Sequence, residues 1–118
     1  MKFDRYTISL LFLRPDAPTL ADEQAAELQD AHMAHLADLH DAGHLLAAGP
    51  VQGAADRELR GICILKVDLE RARELNEQDP AVRAGRFRIE VYPWVLPGGL
   101  MNFSAGRLPR SVAEAQAD

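Results

Sequence analysis

Gly61-Ile62-Cys63-Ile64-Leu65-Lys66-Val67 is the stretch on which the fold turns. Aliphatic and β-branched residues between a glycine and an aspartate predict a strand. The period of two puts Ile62 and Ile64 on one face and Cys63, Leu65 and Val67 on the other. Both faces are therefore apolar. Upstream, Tyr6-Thr7-Ile8-Ser9-Leu10-Leu11-Phe12-Leu13 has the same character, with Tyr6, Ile8, Leu10 and Phe12 on one face and Leu11 and Leu13 on the other. Arg14-Pro15-Asp16-Ala17-Pro18 breaks that strand. Between the two, a run rich in Ala, Leu, Glu and Gln predicts a helix over 19–42, with Thr19 or Asp22 as candidate caps and Gly43 as a C′ residue. A short strand over 44–50 and a polar connection over 52–58 follow.

Downstream of the deciding strand, Asp68 is positioned to cap a second helix reaching about Gln78, with Leu69, Ala72 and Leu75 inward. Asp79 precedes a proline, which pushes it out of the helical region, and Pro80 suits the first position of a helical turn closed by Gly85. Arg86-Phe87-Arg88-Ile89-Glu90-Val91-Tyr92 alternates, with Phe87, Ile89 and Val91 on one face. The order is β-α-β-β-α-β, a ferredoxin-like α+β arrangement. Two helices cover one face of such a sheet and leave the other to be polar or covered. Here the second face is apolar too, and the economical cover is the sheet of a second subunit. Coverage by 96–103 of the same chain is the alternative.

The length of 118 residues suits one domain with its own core. Residues 1–97 read as that domain and 98–118 as an extended C-terminal tail in which Leu100, Met101 and Phe103 can pack. An apolar content of 47% excludes a disordered chain, and a net charge of −5 without a basic stripe speaks against nucleic acid or an anionic membrane as partner. A single cysteine, Cys63, fits a reducing compartment. The mixed charges of Met1-Lys2-Phe3-Asp4-Arg5 and the shortness of the first apolar run argue against a signal peptide, and nothing approaches a membrane span. The expectation is a soluble, cytoplasmic protein.

Chemistry concentrates on histidine. His32, His35, His40 and His44 fall within thirteen positions. On a helical wheel His32 lies near the middle of a stripe formed by Ala25, Leu28, His35, Leu36 and Leu39, so it faces the sheet, where an imidazole needs a partner for at least one nitrogen. A satisfied core histidine is the plain reading. His32 and His35 share a face at i,i+3, but no third ligand accompanies them at a recognised spacing, so no metal is expected. Phosphate-cradling glycine loops and the G-x-S-x-G elbow are missing. Cys63 lies mid-strand without an activating neighbour, and Gly49-Pro50 has ordinary turn chemistry.

Two stretches carry a resemblance. Ala31-His32-Met33-Ala34-His35-Leu36-Ala37-Asp38-Leu39-His40-Asp41-Ala42-Gly43-His44-Leu45-Leu46-Ala47-Ala48-Gly49-Pro50, and then Asp79-Pro80-Ala81-Val82-Arg83-Ala84-Gly85-Arg86-Phe87-Arg88-Ile89-Glu90-Val91, resemble the two motifs of the YCII-related family of small bacterial proteins, in the right order. The resemblance spans roughly 6–95. It implies a dimeric α/β barrel in which the antiparallel sheets of two subunits face each other, and a His–Asp pair in a pocket near the barrel edge. Carried over residue by residue, the pair is His32 and Asp79. Gly49, Pro50 and His35, in the first motif, are the candidate substrate-binding residues. His35, His40 and His44 fall outside the shared pattern. Many members carry an arginine shortly before the histidine; here Gln29-Asp30 stand there, so that spot lacks the anion-binding group.

A carboxylate bonded to one imidazole nitrogen fixes the tautomer and leaves the other nitrogen as a base. With no nucleophile beside it, such a pair suits proton abstraction followed by elimination or isomerisation of a small cyclic or enol-like molecule, without cofactor or metal. The resemblance implies eliminations such as dehydrochlorination. The alternative is a non-catalytic dimeric module that binds a small ligand or regulates a partner, with Asp79 simply capping the Pro80 turn.

Overall fold

A computed structural model describes residues 1–53, 58–104 and 106–117. Most of the polar connection expected over 52–58 lies outside the described residues. The elements run β1 (Phe3–Leu13), α1 (Asp22–Asp41), β2 (Leu45–Pro50), β3 (Leu59–Leu65), α2 (Leu69–Glu77), α3 (Pro80–Arg83), β4 (Phe87–Pro97) and α4 (Val112–Gln116). Among the described residues the strands form one antiparallel sheet in the order β2-β3-β1-β4. This is the α+β ferredoxin-like arrangement, with the helices packed on one face.

The pleat of β1 decides which face that is. Thr7, Ser9 and Leu11 are buried, while Tyr6, Ile8 and Leu10 are only half-buried. The less apolar face is thus the one the helices cover. Its two hydroxyls are accommodated because each finds an acceptor: Thr7 Oγ1 donates to the Val67 carbonyl (2.6 Å) and Ser9 Oγ to Asn76 Oδ1 (3.0 Å). Asn76, itself buried on α2, returns its amide to the Ala72 carbonyl (2.7 Å). Around these groups Leu11, Leu39, Leu45, Cys63, Leu65, Leu75, Ala81 and Phe87 form the core. On the opposite face Ile8 lies across from Ile64, Leu10 from Ile62 and Tyr6 from Trp94.

Several boundaries differ from those expected. β4 continues five residues past Tyr92, through two prolines. It tolerates them because it is an edge strand that pairs only with β1. That pairing also starts β1 at Phe3, opposite Pro97. α1 begins at Asp22, and neither Thr19 nor Asp22 caps it; Ala21 holds the cap position and donates its backbone N–H to Gln24 Oε1 (3.3 Å). Asp68, Asp79 and the left-handed Gly43 and Gly85 fall where the turn chemistry puts them.

The segment 98–118, read as extended, carries α4, whose start is capped by Ser111 Oγ accepting from Glu114 N–H (3.0 Å). It leaves β4 beside the start of β1, sets Phe103 edge-on against Tyr6 (5.7 Å), and reaches α1. There Arg110 pairs with Asp38 (2.8 Å) and Asp41 (2.5 Å), and Val112 N–H donates to Asp30 Oδ1 (2.9 Å). His40 joins this docking. Its Nδ1 donates to the Leu45 carbonyl (2.8 Å) and its Nε2 to the Gly106 carbonyl (3.0 Å). Two carbonyl acceptors call for a proton on each nitrogen, so the bonds to Gly106 and Leu45, with the nearby Asp41 charge, hold the His40 pKa above its usual value.

A group whose folded pKa is raised contributes stability that is complete below its unfolded pKa and is lost as pH rises through the folded value. The melting-temperature gap between the wild type and His40→Ala is therefore expected to be widest near about pH 5.5 and to shrink by about pH 8.5. A gap that is constant or grows over that range contradicts the imidazolium clamp.

Candidate active site

Pro80 is where the site begins. It holds Asp79 in the extended region (φ −61°, ψ 126°), which turns the Asp79 side chain back over the first turn of α3. Asp79 Oδ1 accepts from Ala81 N–H (2.9 Å), leaving Oδ2 to accept from His32 Nδ1–H at 2.6 Å. The carboxylate is only 1% exposed, whereas the imidazole keeps 12%. Helix spacing places His32 on the sheet-facing side of α1, and the ring stands edge-on to Phe87 at 5.6 Å between centroids. The two partners of the ring are thus a carboxylate on one nitrogen and an aromatic ring in a T-shaped contact. Among the described residues Nε2 makes no hydrogen bond, and His32 borders a cavity of about 420 Å³.

α1 lines that cavity with Gln29, His32, Met33 and Leu36, and the β2–β3 side contributes Gly49, Pro50, Arg60 and Cys63. Arg86 and Phe87 form another wall, and Leu108, Pro109 and Ala115 of the C-terminal segment a further one. Burial pushes the Cys63 thiol up to about 12, with the Asp79 charge adding to the shift. The thiol is therefore protonated at neutral pH and is not a nucleophile.

His32, with Asp79 directly behind it, thus meets Gly49 and Pro50 at one cavity. His35 is left out of it. At one edge of the stripe, three residues after His32, His35 reaches α2 instead, where its Nε2 donates to the Leu75 carbonyl (2.9 Å). His35, a candidate substrate-binding residue of the first motif, thus tethers α1 to α2 and does not line this cavity. His40 clamps the C-terminal segment, and His44 supplies a backbone carbonyl to Lys66 N–H. Among the described residues no three His, Cys, Asp or Glu side chains converge as metal ligands.

The arginines were not singled out by the sequence pattern. Arg86 is predicted by the alternation of 86–92 as the first residue of a strand. It in fact closes the α3 turn, its backbone N–H donating to the Ala81 carbonyl (3.0 Å), and β4 starts one residue later. The signal was Gly85: its positive φ of 79° ends the turn and frees the next residue from the pleat.

The model of the YCII-related domain matches residues 9–95. The chain belongs to the YCII-related family. The matched residues include both motifs and run from the second half of β1 through most of β4; the C-terminal segment lies outside. Among solved structures the chain is similar to 5-chloro-2-hydroxyhydroquinone dehydrochlorinase (TftG) of Burkholderia phenoliruptrix AC1100, in complex with 2,5-dihydroxybenzoquinone. The TM-score is 0.58 at 21% identity, covering 75% of this chain and 92% of that one. The similarity shows that the two share a fold. The Arabidopsis thaliana protein At3g17210 is more distant, at a TM-score of 0.42 and 12% identity over 84% of this chain and all of that one. No curated protein matches the chain. Among the described residues no helix is long and apolar enough to cross a membrane.

Proposed function

We propose that the protein is a small lyase or isomerase in which His32 is the general base and Asp79 the carboxylate that orients it. The observation that carries this reading is the 2.6 Å contact between Nδ1 and Asp79 Oδ2 behind a ring that borders a cavity. With its Nδ1 proton committed to Asp79, the imidazole presents a lone pair on Nε2. In an elimination Nε2 takes a proton from the carbon next to the one bearing the leaving group. The C–H electron pair becomes the new double bond, and the leaving group departs with its own bonding pair. Asp79 then stabilises the imidazolium until its proton passes to solvent. Isomerisation shares the first step and returns the proton to another atom of the substrate. Both routes run on side chains alone. The substrate is a small cyclic or enol-like molecule, and a dehydrochlorination is the elimination favoured by the TftG resemblance in fold.

We also propose that the active form is a homodimer, paired through the sheet face that carries Ile8, Leu10, Ile62 and Ile64. These residues lie across from one another on β1 and β3, on the face away from α1 and α2. An apolar sheet face of this kind is stabilised by burial against a second one. Phe103 of the C-terminal segment stands edge-on to Tyr6 on this face.

If the pair is catalytic, His32→Gln abolishes turnover of halogenated or enol ring substrates and leaves the fold intact, since glutamine bonds Asp79 but takes up no proton. Asp79→Asn slows turnover through the lost charge and an altered tautomer, while keeping most of the α3 cap. Should both variants lose roughly 1–3 kcal/mol of stability with no activity to lose, the pair is structural and the protein a ligand-binding module. Sedimentation is expected to give a dimer that Ile64→Lys converts to monomer. A monomeric wild type at micromolar concentration overturns the interface.

A further inference from the structure

The cavity beside His32 is bordered by two arginines. Its titratable lining residues are His32, Arg60, Cys63 and Arg86, with no aspartate or glutamate among the described ones. That is unusual for a chain with 18 acidic and 13 basic side chains. The thiol is protonated and uncharged, and the Asp79 carboxylate behind His32 is already bonded to the imidazole and to Ala81 N–H. Arg86 stands out by its surroundings. Its guanidinium lies over the Phe87 ring at 5.1 Å from the centroid, and among the described residues it forms no ion pair. The same ring meets His32 at 5.6 Å. One aromatic side chain therefore holds both the base and a half-buried cation at the edge of one cavity. A cation–π contact restrains the guanidinium without using its N–H donors, which stay available to a ligand.

We propose that this cavity takes a small anion with a delocalised oxyanion, an ionised enol, and that Arg86 holds its charge while His32 faces its C–H. The inference deepens the general-base reading and rests on it for the role of His32. Three considerations support it. A guanidinium kept partly out of water without a carboxylate is favoured when a ligand supplies the counter-charge. Its planar fork matches paired oxygens such as the adjacent pair of an ionised hydroxyquinone. A base that removes a proton from a molecule already negative builds up further charge, and a fixed cation beside the site stabilises it as it forms. A volume of about 420 Å³ admits one ring. The position also makes sense of Gln29. One turn before His32, glutamine lines the cavity without charge, and the cation comes from the α3–β4 turn instead.

The test is a calorimetric comparison of two probes, 2,5-dihydroxybenzoquinone, ionised at neutral pH, and its uncharged 2,5-dimethoxy counterpart. Wild-type protein is expected to bind the ionised ring about tenfold more tightly or better, the scale of a charge-assisted pair of hydrogen bonds. Arg86→Gln is expected to level the two affinities. Arg86→Met, which keeps the stem packed on Phe87, does the same if the glutamine variant melts early. His32→Gln is expected to keep the preference. No preference in the wild type, or a preference retained in a neutral Arg86 variant that melts like the wild type, overturns the proposal. Loss of the preference in His32→Gln assigns the anion to the imidazole and also overturns it. Binding is read without turnover, so an inactive protein that keeps the preference counts against the general base and not against Arg86.

Discussion

Asp79 holds a carboxylate at a point that is almost closed to water, between the first turn of α3 and the inner side of α1. An ion in such a place is tolerated only when its oxygens are bonded, and here each oxygen has one donor: the Ala81 backbone N–H on Oδ1 and the His32 imidazole on Oδ2. The first bond closes a helical turn; the second joins that turn to the longest helix. The same carboxylate therefore ties α1 to α3 and sets the imidazole in its plane, so the geometry of the site and the packing of the helices depend on one contact. Phe87 completes the arrangement, since its ring bears on both His32 and Arg86.

The sheet is divided in an unexpected way. The helices lie on the face that carries Thr7 and Ser9, which is polar enough to need an internal hydrogen-bond network through Asn76. The richer apolar face of β1 and β3 points away. Buried hydroxyls are satisfied on one side, while the isoleucines of the other side, Ile8, Ile62 and Ile64, stay half-buried, which is the feature behind the proposed pairing with a second subunit.

The strands of the β-α-β-β-α-β order are legible wherever the pleat alternates or an apolar run is bounded by breakers, as at Gly61–Leu65 and Phe87–Tyr92. So are Asp68 and Asp79 as caps, since a carboxylate before a helical turn has one dominant use. Legibility failed where tertiary pairing overrides local rules. Pro93 and Pro97 read as the end of a strand but are harmless on an edge. Neither Thr19 nor Asp22 took the cap, because the helix start is satisfied by a side chain from within its own first turn. For the site, the wheel placed His32 correctly at the seam, but its resolution of about 100° per residue could not separate a histidine aimed at the cavity from His35 aimed at the Leu75 carbonyl. Arg86 was hidden by a shift of one residue in where β4 begins. The docking of 98–118 depends on Arg110, His40 and α1 acids far away in sequence, which no local pattern relates.

The central claim is that Asp79 keeps the Nδ1 proton on His32 and leaves Nε2 bare toward the cavity. Nitrogen-15 NMR of the histidine rings, recorded at a pH where the His32 ring is neutral, reads this directly. A protonated Nδ1 and an unprotonated Nε2 are expected in the wild type, with the tautomer shifting in Asp79→Asn. A proton found on Nε2 in the wild type, or a tautomer indifferent to Asp79→Asn, contradicts it.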